Sequence, residues 1–235
     1  MKHPLLIALL IAFAITSDAQ PQQKAALNES TIVKDTTGMQ YPYAVWRKLV
    51  STGEYTLKPI NRKDIKDGYL LIKFSEEEKE KRTAGAPKPM ESKFFTTGKE
   101  ISGFNERDID GNKWKLKNLK GRIVVLNFWF INCPPCRQEM PELNRVVEQY
   151  KEDSSVVFIS FCLDDKSSIK DFLETSPFNY KIVAEARYIS QQYGVTSYPT
   201  HVVLDKEGKV QYHTSGLAMG TVPWLKKTIE ALKKS

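Results

Sequence analysis

The sequence predicts an α/β fold in which helices flank a central mixed sheet, and three observations carry that prediction. Two nearly continuous apolar runs of strand length, Arg122 to Phe130 and Val156 to Leu163, read as central strands covered on both faces. The segments that follow each run place apolar residues three and four apart, the spacing of amphipathic helices. Near the C-terminus two strands pair through a tight turn before a last helix, so the sheet mixes parallel and antiparallel neighbours.

The elements follow in chain order. Lys2 precedes an uncharged apolar run from Leu5 to Ile15, and small residues at Ser17 and Ala19 form a signal-peptidase site, so residues 1–19 read as a secretory signal and Gln20 as the new N-terminus. A retained membrane anchor is the alternative. Eleven apolar residues fall short of it, because a spanning helix needs about 20. Residues 20–86 are polar and lysine-rich. Their apolar clusters, Tyr43 to Val50 and Gly68 to Phe74, suit a helix and a strand of an N-terminal extension or small subdomain.

Pro87 and Pro89 mark a linker, and residues 87–235 form the main domain. Ile101 to Asp108 and Lys113 to Lys117 flank Asp110-Gly111, a hairpin signal. After the first central run, Cys136 to Tyr150 reads as a helix with Met140, Leu143, Val146, Val147 and Tyr150 on one face. Ser167 is placed to cap a helix holding Ile169, Phe172 and Leu173. Tyr180 to Ala184 reads as a short strand, and Ala186 to Tyr193 as a helix ended by Gly194. His201 to Leu204 and Lys209 to His213 are strands joined at Lys206-Glu207-Gly208, and Thr221 to Lys234 closes the chain as a helix.

Composition narrows the function classes. Hydrophobic content of 41% suits a buried core, and the net charge of +7 is spread among acidic residues, as in Ser75 to Arg82, a solvated helix face. That pattern excludes a phosphate-tracking stripe, so no nucleic-acid partner is expected. Three cysteines cannot build a multi-bridge framework, which leaves one pair to matter: Cys133 and Cys136.

Disulfide exchange needs a thiolate that attacks and a second thiol that resolves the mixed disulfide. With Asn132 as N-cap, Cys133 takes the first helical position, where unpaired N–H groups and the helix dipole stabilise negative charge and lower the thiol pKa. Cys133 is therefore the predicted nucleophile. Cys136, one turn later and more buried, is the resolving thiol. Pro134 and Pro135 fit the first turn but remove two donors from the thiolate, which leans towards a reductant. Half of a zinc site shares the spacing but lacks a second ligand pair. A copper carrier using both thiols with His201 or His213 stays open. No cofactor is required. Cys162 reads as a small core residue, and His201 and His213 as structural or exposed.

The segment Val124 to Asn144 (VVLNFWFINCPPCRQEMPELN) resembles the active-site stretch of the thioredoxin superfamily, in its exported TlpA-like and ResA-like branch. The segment Tyr193 to Val210 resembles that family's second signature. The resemblance covers roughly residues 87–235 and implies a thioredoxin-like fold. It implies that Pro199 is the cis-proline whose loop receives substrate backbone, flanked by Tyr198 and Thr200, that Pro141 kinks the active-site helix, that Trp129 is the aromatic before the motif, and that Tyr198, Pro199, Thr200 and Trp129 together form the surface that binds substrate.

Glu139 matches a carboxylate that serves the resolving thiol, with an exposed helix glutamate as the alternative. Asn127 stands where ordinary thioredoxins hold a buried aspartate, and since an amide takes no proton that route is missing. The branch implies a periplasmic enzyme, monomeric and soluble after cleavage. Its partners would be protein disulfides or dithiols, with a membrane electron donor upstream and cytochrome c maturation as one use. A dithiol oxidant shares every motif. A thiol peroxidase expects threonine or serine where Phe130 stands.

Overall fold

The computed structural model describes residues 27–61 and 64–234, so the predicted signal segment lies outside the described residues. The N-terminal part holds β1 (Val33–Lys34), α1 (Tyr43–Ser51), β2 (Tyr55–Pro59), β3 (Tyr69–Lys73) and α2 (Glu76–Ala84). Its sheet runs β1-β3-β2, with β1 parallel and β2 antiparallel to β3. Trp46 of α1 packs there with Val33 and Leu71, giving a small core of its own. The expected helix and strand are present. β1 and β2 escaped prediction because a two-residue strand has no periodicity and β2 ends on Pro59.

The rest of the chain continues with β4 (Asn105–Arg107), β5 (Lys113–Lys115), β6 (Ile123–Trp129), α3 (Pro134–Gln149), β7 (Val156–Cys162) and α4 (Lys166–Thr175). Then come β8 (Lys181–Val183), α5 (Arg187–Gln192), β9 (Thr200–Leu204), β10 (Val210–Ser215) and α6 (Thr221–Lys234). β4 and β5 form the predicted hairpin, closed by Gly111 in a left-handed conformation. Asp108 braces it, accepting from Trp114 Nε1 at 2.9 Å.

The main sheet runs β10-β9-β6-β7-β8. β6, β7 and β8 are parallel, while β9 lies antiparallel to both β6 and β10. Because strand side chains alternate, β6 sends Ile123, Val125 and Trp129 to one face and Val124, Leu126 and Phe128 to the other. The first face is covered by α3, α4 and α6, the second by α5 and the hairpin. A single apolar run thus feeds two cores. The cap of α4 is Asp165 rather than Ser167, its carboxylate accepting from the Ser168 N–H at 2.9 Å. The longer acidic side chain two residues earlier also accepts from the Ser167 hydroxyl.

The proline linker lies along α6. Trp224 Nε1 donates to the Ala86 carbonyl at 2.9 Å, and a Cβ on Gly220 would stand 2.3 Å from the Pro87 carbonyl oxygen. Glu54, in the turn before β2, reaches Lys79 Nζ at 3.0 Å and Arg145 of α3 at 3.5 Å. The two parts of the chain therefore meet along α3.

Candidate active site

β6 delivers the chain to the motif. After Trp129, the Ile131 N–H donates to Asp164 at 2.7 Å and the Cys133 N–H to the Phe130 carbonyl at 3.2 Å, which fixes the turn into α3. Cys133 itself is the N-cap, not Asn132. Its backbone is extended and its sulfur folds back over the first turn. Pro134 and Pro135 have no N–H, so the first donor the helix offers is that of Cys136, and it points at Cys133 Sγ at 3.3 Å. The lost donors do not strip the sulfur of stabilisation; one remains, aimed.

Cys133 and Cys136 are joined as a disulfide with Cα atoms 5.3 Å apart. The expectation that Cys136 is the more buried is corrected, since the two are 2% and 3% exposed. Cys133 is covered because a capping side chain lies against its own helix. Pro141 sits inside α3 as expected.

The Tyr198–Pro199 peptide is cis. Tyr198 is half-buried, its ring meeting Phe130 edge-on at 5.6 Å, so the loops that precede Cys133 and Pro199 touch. Neither its backbone N–H nor its carbonyl is hydrogen-bonded among the described residues. Pro199 is buried, and its carbonyl accepts from the Gly216 N–H at 2.8 Å.

Two predicted substrate contacts are corrected. Thr200 is buried, its hydroxyl engaged by the Ser197 carbonyl at 2.7 Å and Ser215 Oγ at 2.6 Å, so it holds the loop and offers nothing outward. Trp129 is fully buried. Its Nε1 donates to Ser160 Oγ at 3.2 Å and its ring packs on Phe172 and Phe178. It supports the motif from below.

Glu139 is not an exposed helix glutamate. It is 4% exposed, with Oε2 2.8 Å from Nε2 of His201, while Oε1 has no hydrogen-bond partner among the described residues. His201 is fully buried, and its Nδ1 lies 3.2 Å from Asn127 Nδ2. Sequence reasoning missed this histidine. The signal was strand parity: Val203 faces the α3 side of the sheet, so His201, two residues earlier, does too.

The remaining candidates lie elsewhere or are occupied. Cys162 is buried at the end of β7, its Sγ 3.4 Å from Asp164, and burial pushes its thiol far above the ordinary range. His213 contacts Ser92 Oγ at 3.0 Å and the Phe95 ring, on the sheet face opposite the motif, so it cannot join the cysteines in a copper site. Among the described residues no group of three or more His, Cys, Asp or Glu is arranged to hold a metal.

A cleft of about 1070 Å³ opens beside the motif. α3 lines it with Pro134 and Arg137, and the α1–β2 region with Lys48 and Tyr55.

Residues 97–213 match the AhpC/TSA family. Over 116 residues the chain is 34% identical to the thioredoxin-like protein YneN of Bacillus subtilis, covering 48% of this chain and 68% of that one. It is 36% identical over 121 residues to the thiol-disulfide oxidoreductase ResA of Bacillus thuringiensis subsp. konkukian, covering 51% and 69%. A solved structure of a thiol:disulfide interchange protein DsbE from Chlorobium tepidum superposes with a TM-score of 0.54 at 26% identity, over 59% of this chain and 98% of that one. Identical at about a third of the aligned positions, which span about half of this chain and two thirds of such relatives, and built on a thioredoxin-like sheet with paired cysteines at a helix cap, the chain belongs to the ResA-like thiol-disulfide oxidoreductases of the thioredoxin superfamily.

Proposed function

We propose that the protein is a reductant of disulfides in exported proteins, acting through the Cys133–Cys136 dithiol. The dithiol chemistry is carried by the Cys136 N–H directed at Cys133 Sγ at 3.3 Å, and the reducing direction is supported by Pro134 and Pro135, which withhold two further donors that would have stabilised the reduced thiolate. A donor held there stabilises the Cys133 thiolate and marks it as the sulfur that attacks.

The Cys133 thiolate attacks one sulfur of the substrate disulfide, and the other substrate sulfur leaves as a thiolate. Cys136 then gives up its proton, forms the bond to Cys133 Sγ and expels the second substrate sulfur. The enzyme dithiol is oxidised by two electrons and the substrate disulfide reduced. Glu139, one helical turn beyond Cys136, is the acid–base group for the second step. The unpartnered backbone of Tyr198 receives the substrate strand, and the cleft beside Pro134 accommodates the polypeptide around the target cysteine.

In this reading residues 1–19 direct export to the periplasm, residues 20–86 form an appended subdomain and residues 87–235 the catalytic unit, acting as a monomer. A membrane dithiol donor returns the electrons, and apocytochrome c is one substrate class. No helix among the described residues is long and apolar enough to cross a membrane.

The test is to express Cys136→Ser in the native host and identify proteins trapped on Cys133. Trapped exported proteins with paired cysteines support the reading. Absence of any trapped protein overturns it, and a protein found wholly oxidised in cells with a strongly oxidising potential reverses the direction.

A further inference from the structure

We propose that His201 is a positioning residue of the redox centre: it holds Glu139 as the proton acceptor for Cys136, and the pair exchanges protons with solvent through a cavity beside α3. The proposal deepens the thiol-disulfide reading and rests on it.

The three side chains cross the core in a line. Asn127 on β6 and His201 on β9 are register partners, and both point to the α3 face, where Glu139 completes the chain. Hydrophobic side chains of the α3-side core surround them, where an imidazole or carboxylate left with no partner at all is costly. A site that only needed filling would be apolar. Here three polar groups are joined in sequence, and only the far oxygen of Glu139, Oε1, ends without a partner among the described residues.

The identity of Asn127 suits a pair that gains and loses a proton. With its Nδ2 facing Nδ1, the amide donates, Nδ1 accepts, and Nε2 carries the hydrogen given to Glu139. If His201 takes up a second proton, a half-turn of the amide presents its carbonyl to Nδ1–H. An aspartate at this position would favour only the charged ring. The amide serves both states, so the missing aspartate is replaced by a different route rather than by none.

Other ionisable groups near Glu139 do not compete for the role. Tyr180, just before β8, and Tyr212 of β10 lie nearby, and burial, then the Glu139 charge, pushes both phenols far above their ordinary value. They stay neutral, and the Tyr212 hydroxyl is spent on the Thr221 carbonyl. Glu139 also lines a cavity of about 220 Å³ between the turn before β2, α3 and the loop after β10. Glu54, Lys79, Arg82, Glu142 and Arg145 line its outer part, and it has room for several waters at about 30 Å³ each. A proton taken from Cys136 Sγ by Glu139 reaches bulk water through this opening. In that step the Cys136 electron pair forms the bond to Cys133 Sγ, and the substrate sulfur leaves with the pair it shared with Cys133.

The experiment separates attack from resolution, using the full chain and a fluorescent peptide disulfide as probe. In a C136S background, H201Q should capture the probe as fast as C136S alone. With Cys136 present, H201Q should slow release of the reduced probe by about tenfold, a barrier increase of about 1.4 kcal/mol, and shift the pH profile of that step. Release at the wild-type rate with an unchanged pH profile overturns the proposal. Should H201Q fail to fold by circular dichroism, N127S carries the test, since it keeps the histidine and removes its Nδ1 partner; an unmoved profile again overturns it. If the wild-type protein itself captures no probe, the thiol-disulfide reading has failed independently of His201.

Discussion

The ring of Phe130 meets the ring of Tyr198 edge-on at 5.6 Å, joining the turn before Cys133 to the turn before the cis-proline. Such a pair contributes about 1 kcal/mol beyond its buried area. Phe130→Ala should let the Tyr198 loop drift and raise the KM for a protein disulfide, while alkylation of reduced Cys133 by a small reagent changes little. Equal effects on both would show that the contact serves the cysteine and not the substrate.

Trp129 is a supporting residue and not a surface contact, so its loss should appear first as lost stability. Trp129→Ala should cost about 3–5 kcal/mol in denaturant unfolding, the usual range for a large buried aromatic. A variant of unchanged stability that no longer bound substrate would restore the surface role.

Burial raises the Cys162 thiol, and its hydrogen bond to Asp164 keeps the proton in place. In the reduced native protein, iodoacetamide followed by mass spectrometry should label Cys133 and leave Cys162 unmodified until the chain is unfolded. Cys162→Ala should retain thiol-disulfide exchange turnover. Labelling of native Cys162 at the rate of Cys133 would contradict this.

His213 is buried against Ser92, and desolvation holds its pKa below the ordinary 6.5 despite the nearby Glu91 carboxylate. The unfolded chain therefore binds this proton more readily than the folded one. Its contribution is fully present above pH 6.5 and is lost as pH falls through the lower folded value. The urea midpoint of the wild type should drop in that window, and His213→Gln should flatten the drop. A midpoint equally steep in both proteins would assign the effect to other groups.

Much of the architecture was legible in residue order. β6 and β7 declared themselves because both faces of a central strand are buried, leaving uninterrupted apolar runs, and α3 because its face repeats every three to four residues. β1 and β2 were not legible, being too short or too polar for either period. The caps of α3 and α4 were each misplaced, because several neighbouring side chains were chemically able to cap and only the backbone path selects among them.

Within the site, the pair of cysteines was readable from spacing alone, because residues three apart share one helix face whatever else the chain does. The cis peptide before Pro199 was implied by resemblance and is present. The burial of Trp129 and Thr200 depends on what packs over them from α4 and β10, which no local pattern records. The meeting of Asn127, His201 and Glu139 depends on the strand order, since β9 reaches β6 only after 70 residues of intervening chain have folded. Local sequence determined which two thiols pair at the start of a helix; the tertiary structure decided which distant polar groups stand near them, because contacts within hydrogen-bond reach between β6, β9 and α3 exist only once the sheet and helix are assembled.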